Sequence, residues 1–321
     1  MATIPVTPRS ARADRSRQPP LGEVLHRALV TSVALAIPGL ILFVAVRGFS
    51  YYTLGIEQRL LSPLHAEFRS SGTVGLKLGI LSVSMLGILF LYPIRKHFGW
   101  LKRIGRTRRW LNVHMVFGVT TPLVVTFHSA FRWYGVAGLA YWTMIAVALS
   151  GFTGRYLYAK IPRSLNSVGL TMAELEAQAA ALAAELAQNS LFQAEDLAPL
   201  LTVPSAEEIR SMNLDRTLWN MLWIDLVRPF QVGRLRRRVL AGAAQIQTLG
   251  GLVASRNATL ESIVSLARRQ SRLRAAMAFL DRTERIFRLW HVVHRPFSIS
   301  FVALILVHIG VALSIGVLHA H

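Results

Sequence analysis

Long apolar runs alternate with basic, polar segments along this chain. Crossing the hydrocarbon layer of a bilayer takes about 20 apolar residues in a helix. Several runs reach that length, and apolar and polar residues do not alternate within them as they would in a half-buried strand. The pattern predicts an all-α protein, an integral membrane helical bundle of about five spans, placed at about 28–46, 74–92, 110–131, 136–158 and 291–319.

Four regions follow from this pattern. Residues 1–27 are rich in proline and arginine and predict a disordered cytoplasmic tail. Transmembrane helices 1–4 fall within 28–163, with Pro93 expected to end the second. Residues 164–288 are more polar and predict a helical cytoplasmic insert, and 289–321 holds transmembrane helix 5. Within the insert, 218–230 is apolar and contains two tryptophans, but it is too short to span, so it is expected to pack on the membrane surface or on the bundle.

The basic segments orient the spans. Arginine and lysine are frequent in the tail, in the loop 95–109 and in the insert, and they are scarcer in 47–73 and 132–135. Positive loops stay cytoplasmic, so the N-terminus is predicted to be cytoplasmic and the C-terminus periplasmic. The use of arginine and alanine resembles bacterial proteins. A multi-pass protein of a bacterial inner membrane is therefore expected.

The composition limits which cofactors the chain can bind and which anionic partners it favours. The 321 residues are 53% hydrophobic with a mean hydropathy of +0.42, and cysteine is absent. Without thiolates, the chain has no disulfides, no iron–sulfur clusters of its own and no covalent c-type haem. The net charge of +20 lies in segments that flank apolar runs, which favours membrane lipid and not nucleic acid as the anionic partner.

Two of the apolar runs carry matched histidines. His114 and His128 are 14 residues apart in the third span, and His294 and His308 are 14 apart in the fifth. Fourteen residues are close to four helical turns, so each pair shares one helix face with about 21 Å between its members. Spans three and five run in the same direction, which puts His114 and His294 near the cytoplasmic side and His128 and His308 near the outer side. We predict that each depth-matched pair supplies the two axial ligands of one haem.

Other residues fit this arrangement. Gly118 and Gly310 leave room near ligand level, and Pro122 predicts a kink in the third span. Arg295, with Arg155 and Arg109, is cationic at the inner level, and Arg132 is cationic at the outer level, where each could pair with a haem propionate. The same arginines also suit helix-end anchors. Histidines that only pack, or a zinc ion held by His291 and His294, are the alternatives to haem.

The segments HMVFGVTTPLVVTFHSAF and LWHVVHRPFSISFVALILVHIG resemble known families. Two parallel spans with two histidines each are similar to the haem core of cytochrome b from quinol-oxidising complexes. The placement on spans three and five also resembles the transmembrane domain of ferric reductases and NADPH oxidases. The resemblance implies that His114, His128, His294 and His308 are axial ligands of two non-covalent b haems.

The chain also departs from these families, because the oxidases have six spans and their larger members carry flavin and nicotinamide domains. No G-x-G-x-x-G motif follows a strand pattern here. We therefore expect a transmembrane electron-transfer subunit with a separate donor, which could be a flavoprotein, an iron–sulfur protein or a quinol, and a separate acceptor. A quinol dehydrogenase or ferric-type reductase with its own substrate or quinone site, and a non-redox membrane scaffold, are the competing functions.

Overall fold

The computed structural model describes residues 21–161, 172–188, 192–240 and 247–318. The described residues form helices and contain no strand. Five of these helices are long and apolar enough to cross a membrane, which confirms the all-α prediction and the number of candidate spans. In chain order the helices are α1 (Leu21–Arg47), α2 (Phe49–Tyr52), α3 (Ile56–Arg59), α4 (His65–Phe68), α5 (Thr73–His97), α6 (Gly99–Lys102), α7 (Thr107–His128), α8 (Gly135–Lys160), α9 (Met172–Ala187), α10 (Ala194–Leu201), α11 (Ala206–Ser211), α12 (Leu214–Val239), α13 (Ala258–Ala278) and α14 (Leu280–Leu318).

The chain divides into two compact units. The first consists of the residues up to Gly151 and those from Phe297 onward, so it contains α1, α5, α7, most of α8 and the C-terminal part of α14. Helices α5 and α7 make the most extensive pairing in it. Phe301 of α14 is buried in one cluster with Leu86 of α5 and Met144 of α8. This cluster fixes α14 beside the α5–α7 pair, seven residues before His308.

Two buried arginines hold the ends of the α5–α7 pair. At one end Arg95 donates to the carbonyls of Lys102 and Gly105, at 2.8 and 3.0 Å, and so secures the connection between the two helices. At the other end Arg59 donates to the carbonyl of Ala130 at 2.6 Å, just beyond the last residue of α7. Both guanidinium groups therefore donate to loop carbonyls that would otherwise lack hydrogen-bond partners.

Two expected boundaries were wrong. Helix α1 begins at Leu21, so residues 21–27 of the predicted disordered tail are helical, and residues 1–20 lie outside the described ranges. Pro93 does not end the second span, because α5 continues through it to His97. Proline removes one hydrogen bond from the helix interior, but a helix persists where another group satisfies the carbonyl left free. That group is identified below.

The second unit, Phe152–Pro296, contains the predicted helical insert. Helices α9, α10, α12 and α13 surround a core whose buried members include Leu186, Leu235 and Leu260. The side chain of Arg236, 2% exposed, makes a two-pronged ion pair with Glu261 at 2.8 and 2.6 Å. The last amphipathic segment of the insert ends at Ala278, and α14 starts at Leu280, so the fifth span begins well before residue 289.

Candidate functional site

The ring of His128 is held against α5. Its Nδ1 donates to the backbone carbonyl of Gly75 at 2.8 Å. The ring also lies directly against Gly79, where an added Cβ would be only 2.7 Å from the ring carbon Cε1. Only glycine allows the imidazole to come this close to α5. Because Nδ1 is occupied, Nε2 is the nitrogen left to bind a metal, and this is the usual arrangement of a metal-ligating histidine.

His308 faces this ring from α14. The centres of the His128 and His308 rings are 6.4 Å apart, with an angle of 80° between the ring planes. Metal–nitrogen bonds of about 2.0 Å, with about 1.1 Å from each nitrogen to its ring centre, require about 6.2 Å between the ring centres of two axial imidazoles. The separation therefore suits one metal ion held between the two rings. Two imidazoles with no carboxylate or thiolate are the donor set of a low-spin b haem.

His114 is held against α5 in the same way. Its Nδ1 donates to the carbonyl of Leu89 at 3.0 Å, and Tyr92 packs beside the ring with 5.2 Å between ring centres. The normal donor to the carbonyl of Leu89 would be the amide of residue 93, which is proline and has none. The His114 ring therefore takes the place of that amide, and α5 continues past Pro93 with the carbonyl satisfied.

The two carbonyls repeat the spacing of the histidines. Gly75 and Leu89 are 14 residues apart on α5, as are His128 and His114 on the antiparallel α7. Four turns on each helix correspond to about 21 Å, so each ring meets its carbonyl at a matching depth. One helix thus fixes the tautomer and the orientation of both imidazoles.

His294 belongs to the second unit. Its ring stacks on Trp290, with 4.7 Å between centres and 26° between planes. Trp290 in turn packs on Gly154 of α8, where an added Cβ would lie 2.2 Å from the indole. His114 and His294 fall in different units, so their predicted pairing stays a prediction.

The remaining site residues are less constrained. An added Cβ at Gly118 would meet one atom, at an ordinary 3.7 Å, and one at Gly310 would meet nothing within 4 Å, so both positions have open space beside the ligand levels. Arg132 and Arg295 are exposed. The structure therefore brings His128 and His308 together and leaves the roles of the two arginines as predictions.

Sequence reasoning missed what α5 contributes. Backbone carbonyls have no sequence signature, so the acceptors at Gly75 and Leu89 could not be identified in advance. Two signals were readable, namely Pro93, four residues after Leu89, and Gly79, four residues after Gly75. Both concern the second span, which carries no histidine until its last residue, His97.

Among the described residues, no three His, Asp or Glu side chains lie close enough together to form one metal-binding group. Comparison of the chain with protein-family models, with curated proteins and with solved structures finds no match.

Proposed function

We propose that this chain is a di-haem b-type cytochrome of the bacterial inner membrane that carries electrons across the bilayer as a subunit of a redox complex. The observation that carries the proposal is the matched bonding of His114 and His128 to two carbonyls of one helix, with His308 facing His128 at ligand distance. A histidine that only packs has no need of a second imidazole at this distance from its ring.

The residues divide into two levels. His128 and His308 would hold the outer haem, and His114 and His294 would hold the inner haem. When bound, the haem iron supplies one-electron redox chemistry. The chain's own part is to fix the imidazoles through α5, to leave space at Gly118, and to keep water from the ligand level with the apolar side chains of the spans. Arg132 and Arg295 would be the partners for propionates at the two levels.

The donor and acceptor would be separate molecules. The chain has no cysteine for an iron–sulfur cluster. A flavoprotein, an iron–sulfur protein or a quinol would therefore deliver electrons, and a bound quinone would be a second cofactor in the last case. The helical insert offers a surface for a cytoplasmic partner. With the basic segments in the cytoplasm, the N-terminus is inside and the C-terminus is periplasmic.

The test is haem content with spectra of the detergent-purified protein. We expect about two b haems per chain and sharp reduced-minus-oxidised bands. Double variants test the pairing: His128→Ala with His308→Ala removes one site and leaves one haem, whereas His128→Ala with His114→Ala removes both. His291→Ala is the matched control, because this histidine is exposed, its hydrogen bond goes to the carbonyl of Phe287, and its ring contacts Phe287 and Trp290 of the same helix.

A protein that binds no haem, after expression with sufficient haem supply, would refute the proposal and favour the scaffold function. One haem left in the His128→Ala, His114→Ala double variant would refute the assignment of these two residues to separate haems.

A further inference from the structure

Helix α12 carries an apolar stripe that nothing in the described structure covers. Its members recur at intervals of three and four residues, which places them on one helix face over about 16 Å. Trp219 is 66% exposed and Leu226 is 60% exposed. These values match those of apolar side chains on α1, such as Leu42 at 65%. The stripe consists of Trp219, Leu222, Trp223, Leu226 and Phe230.

The opposite face of α12 is packed against the rest of the second unit. At about 100° per residue, Thr217, Met221, Arg228 and Val232 lie roughly 180° from the stripe. All four are buried. The helix is therefore fixed in orientation by its own unit, and the stripe is presented outward as a stable feature of the fold. Asp215, Asp225 and six arginines in the sequence of α12 exclude it as a further span.

Contacts within the second unit connect α12 to the end of a candidate span. Asp225 accepts a hydrogen bond from the Tyr156 hydroxyl at 2.8 Å and forms an ion pair with Lys160. Tyr156 and Lys160 occupy the last turns of α8, where that span leaves the apolar layer. Asp225 lies between Trp223 and Leu226 in the sequence. The middle of the stripe is thus held beside the end of a candidate span.

Exposed arginines outnumber the one exposed carboxylate of α12, Asp215, beside the stripe, and this balance suits anionic headgroups. Arg216 and Arg234 are exposed and lie one at each end, both about 60° from the centre of the stripe. Tryptophan favours the boundary between headgroups and acyl chains, and flanking arginines attract anionic lipids. A helix with one apolar face and cationic edges is typical of a segment that lies in the interface plane.

We propose that α12 lies in the cytoplasmic headgroup layer of the chain's own membrane, with the stripe buried against the acyl chains and the arginines on anionic phospholipid headgroups. The proposal rests on insertion of the five spans, which is part of the proposed function. It assigns the insert a membrane-bound face and leaves its other surfaces for a cytoplasmic partner.

The absence of cysteine allows a test free of background labelling. Leu226→Cys in the full-length protein takes a nitroxide label in vesicles of phosphatidylcholine with phosphatidylglycerol. Accessibility to oxygen, which partitions into lipid, is compared with accessibility to a water-soluble nickel chelate. Ser262→Cys on the exposed polar face of α13 is the control for water, and Leu35→Cys in α1 is the control for membrane insertion.

We expect oxygen accessibility at residue 226 to exceed nickel accessibility several-fold, with the order reversed at residue 262. Replacing the anionic lipid with phosphatidylcholine should move label 226 toward water. A label at 226 open to nickel, or shielded from both reagents as in a protein contact or second copy, overturns the proposal. If the label at residue 35 is in lipid in the same experiment, the proposed insertion of the spans stands and only the placement of α12 fails. Equal depth in both lipid mixtures overturns the role of anionic headgroups.

Discussion

Replacing Gly79 with alanine adds a single methyl group against the His128 ring. The added Cβ would lie 2.7 Å from Cε1 and 2.9 Å from Nδ1, whereas ordinary contact begins at 3.4 Å. The ring must therefore retreat from α5 by about 0.7 Å. Because backbone atoms of α5 cannot yield without breaking the helix, the displacement falls on the imidazole.

The retreat has two consequences of known size. The bond from Nδ1 to the Gly75 carbonyl lengthens from 2.8 Å to about 3.5 Å, beyond the normal range for a hydrogen bond. Loss of such a supporting bond lowers metal affinity by about 10–100-fold, or about 1.4–2.8 kcal/mol. A movement toward His308 would also shorten the 6.4 Å between ring centres to less than two axial bonds require. We expect the outer haem to be lost on purification.

The assay is haem per chain, with Gly87→Ala as the matched control. Gly87 lies on the same helix, and an added Cβ there meets nothing within 4 Å. Both substitutions gain about 1 kcal/mol of helix propensity, so a difference between them reports the clash alone. We expect one haem in Gly79→Ala and two in Gly87→Ala, and the remaining inner haem shows that the bundle is folded. Two haems with unchanged bands in Gly79→Ala would refute the placement of His128 against Gly79.

The other predictions concern α5 and the second unit. Pro93→Ala restores an amide that competes for the carbonyl bound by His114, so we expect weaker retention of the inner haem, by up to about tenfold. Glu261→Gln leaves the buried Arg236 without its anion and should lower the free energy of unfolding by about 2 kcal/mol, measured by thermal unfolding in detergent. Burial raises the pKa of Asp225, but its bonds to cationic and hydroxyl partners outweigh burial and hold the pKa below its ordinary value. The pKa of Glu261 is lowered by the same balance between burial and bonding. Their stabilisation is complete above the ordinary carboxyl pKa of about 4 and is lost as pH falls through the lower folded-state value, so the melting temperature should drop at acid pH.

Each of these predictions has a matched control. Pro38→Ala in α1 also removes a proline from a helix interior, and it should leave both haems in place. Glu284→Gln breaks an exposed pair with Arg288 at 3.7 Å and should cost less than about 1 kcal/mol. Asp225→Asn should flatten the acid dependence of the melting temperature. Equal losses in Glu261→Gln and Glu284→Gln would contradict the buried role of Arg236, and an unchanged acid profile would contradict that of Asp225.

The sequence by itself determined the class of the protein. Apolar runs of span length predict spanning helices because backbone groups in lipid must bond within the helix, and the five candidate spans agree with this. The 14-residue spacing of the histidines, together with the parallel direction assigned to spans three and five, also placed His128 and His308 at one level, and the structure brings these two rings together. The helical insert followed in the same way from its polar, alanine-rich pattern.

Only the tertiary structure decided what holds the site. The acceptors for His128 and His114 are carbonyls, which every residue possesses, so Gly79 and Pro93 point to them only once the packing of α7 on α5 is known. Helix α5 continues through Pro93 because the His114 ring of α7 satisfies the carbonyl of Leu89. The sequence of α5 alone does not show this contact, and for that reason the predicted second span ended too early. The stripe on α12 was visible as an apolar segment, but its outward direction depends on which face the neighbouring helices bury, and that choice belongs to packing and not to the sequence of α12 alone.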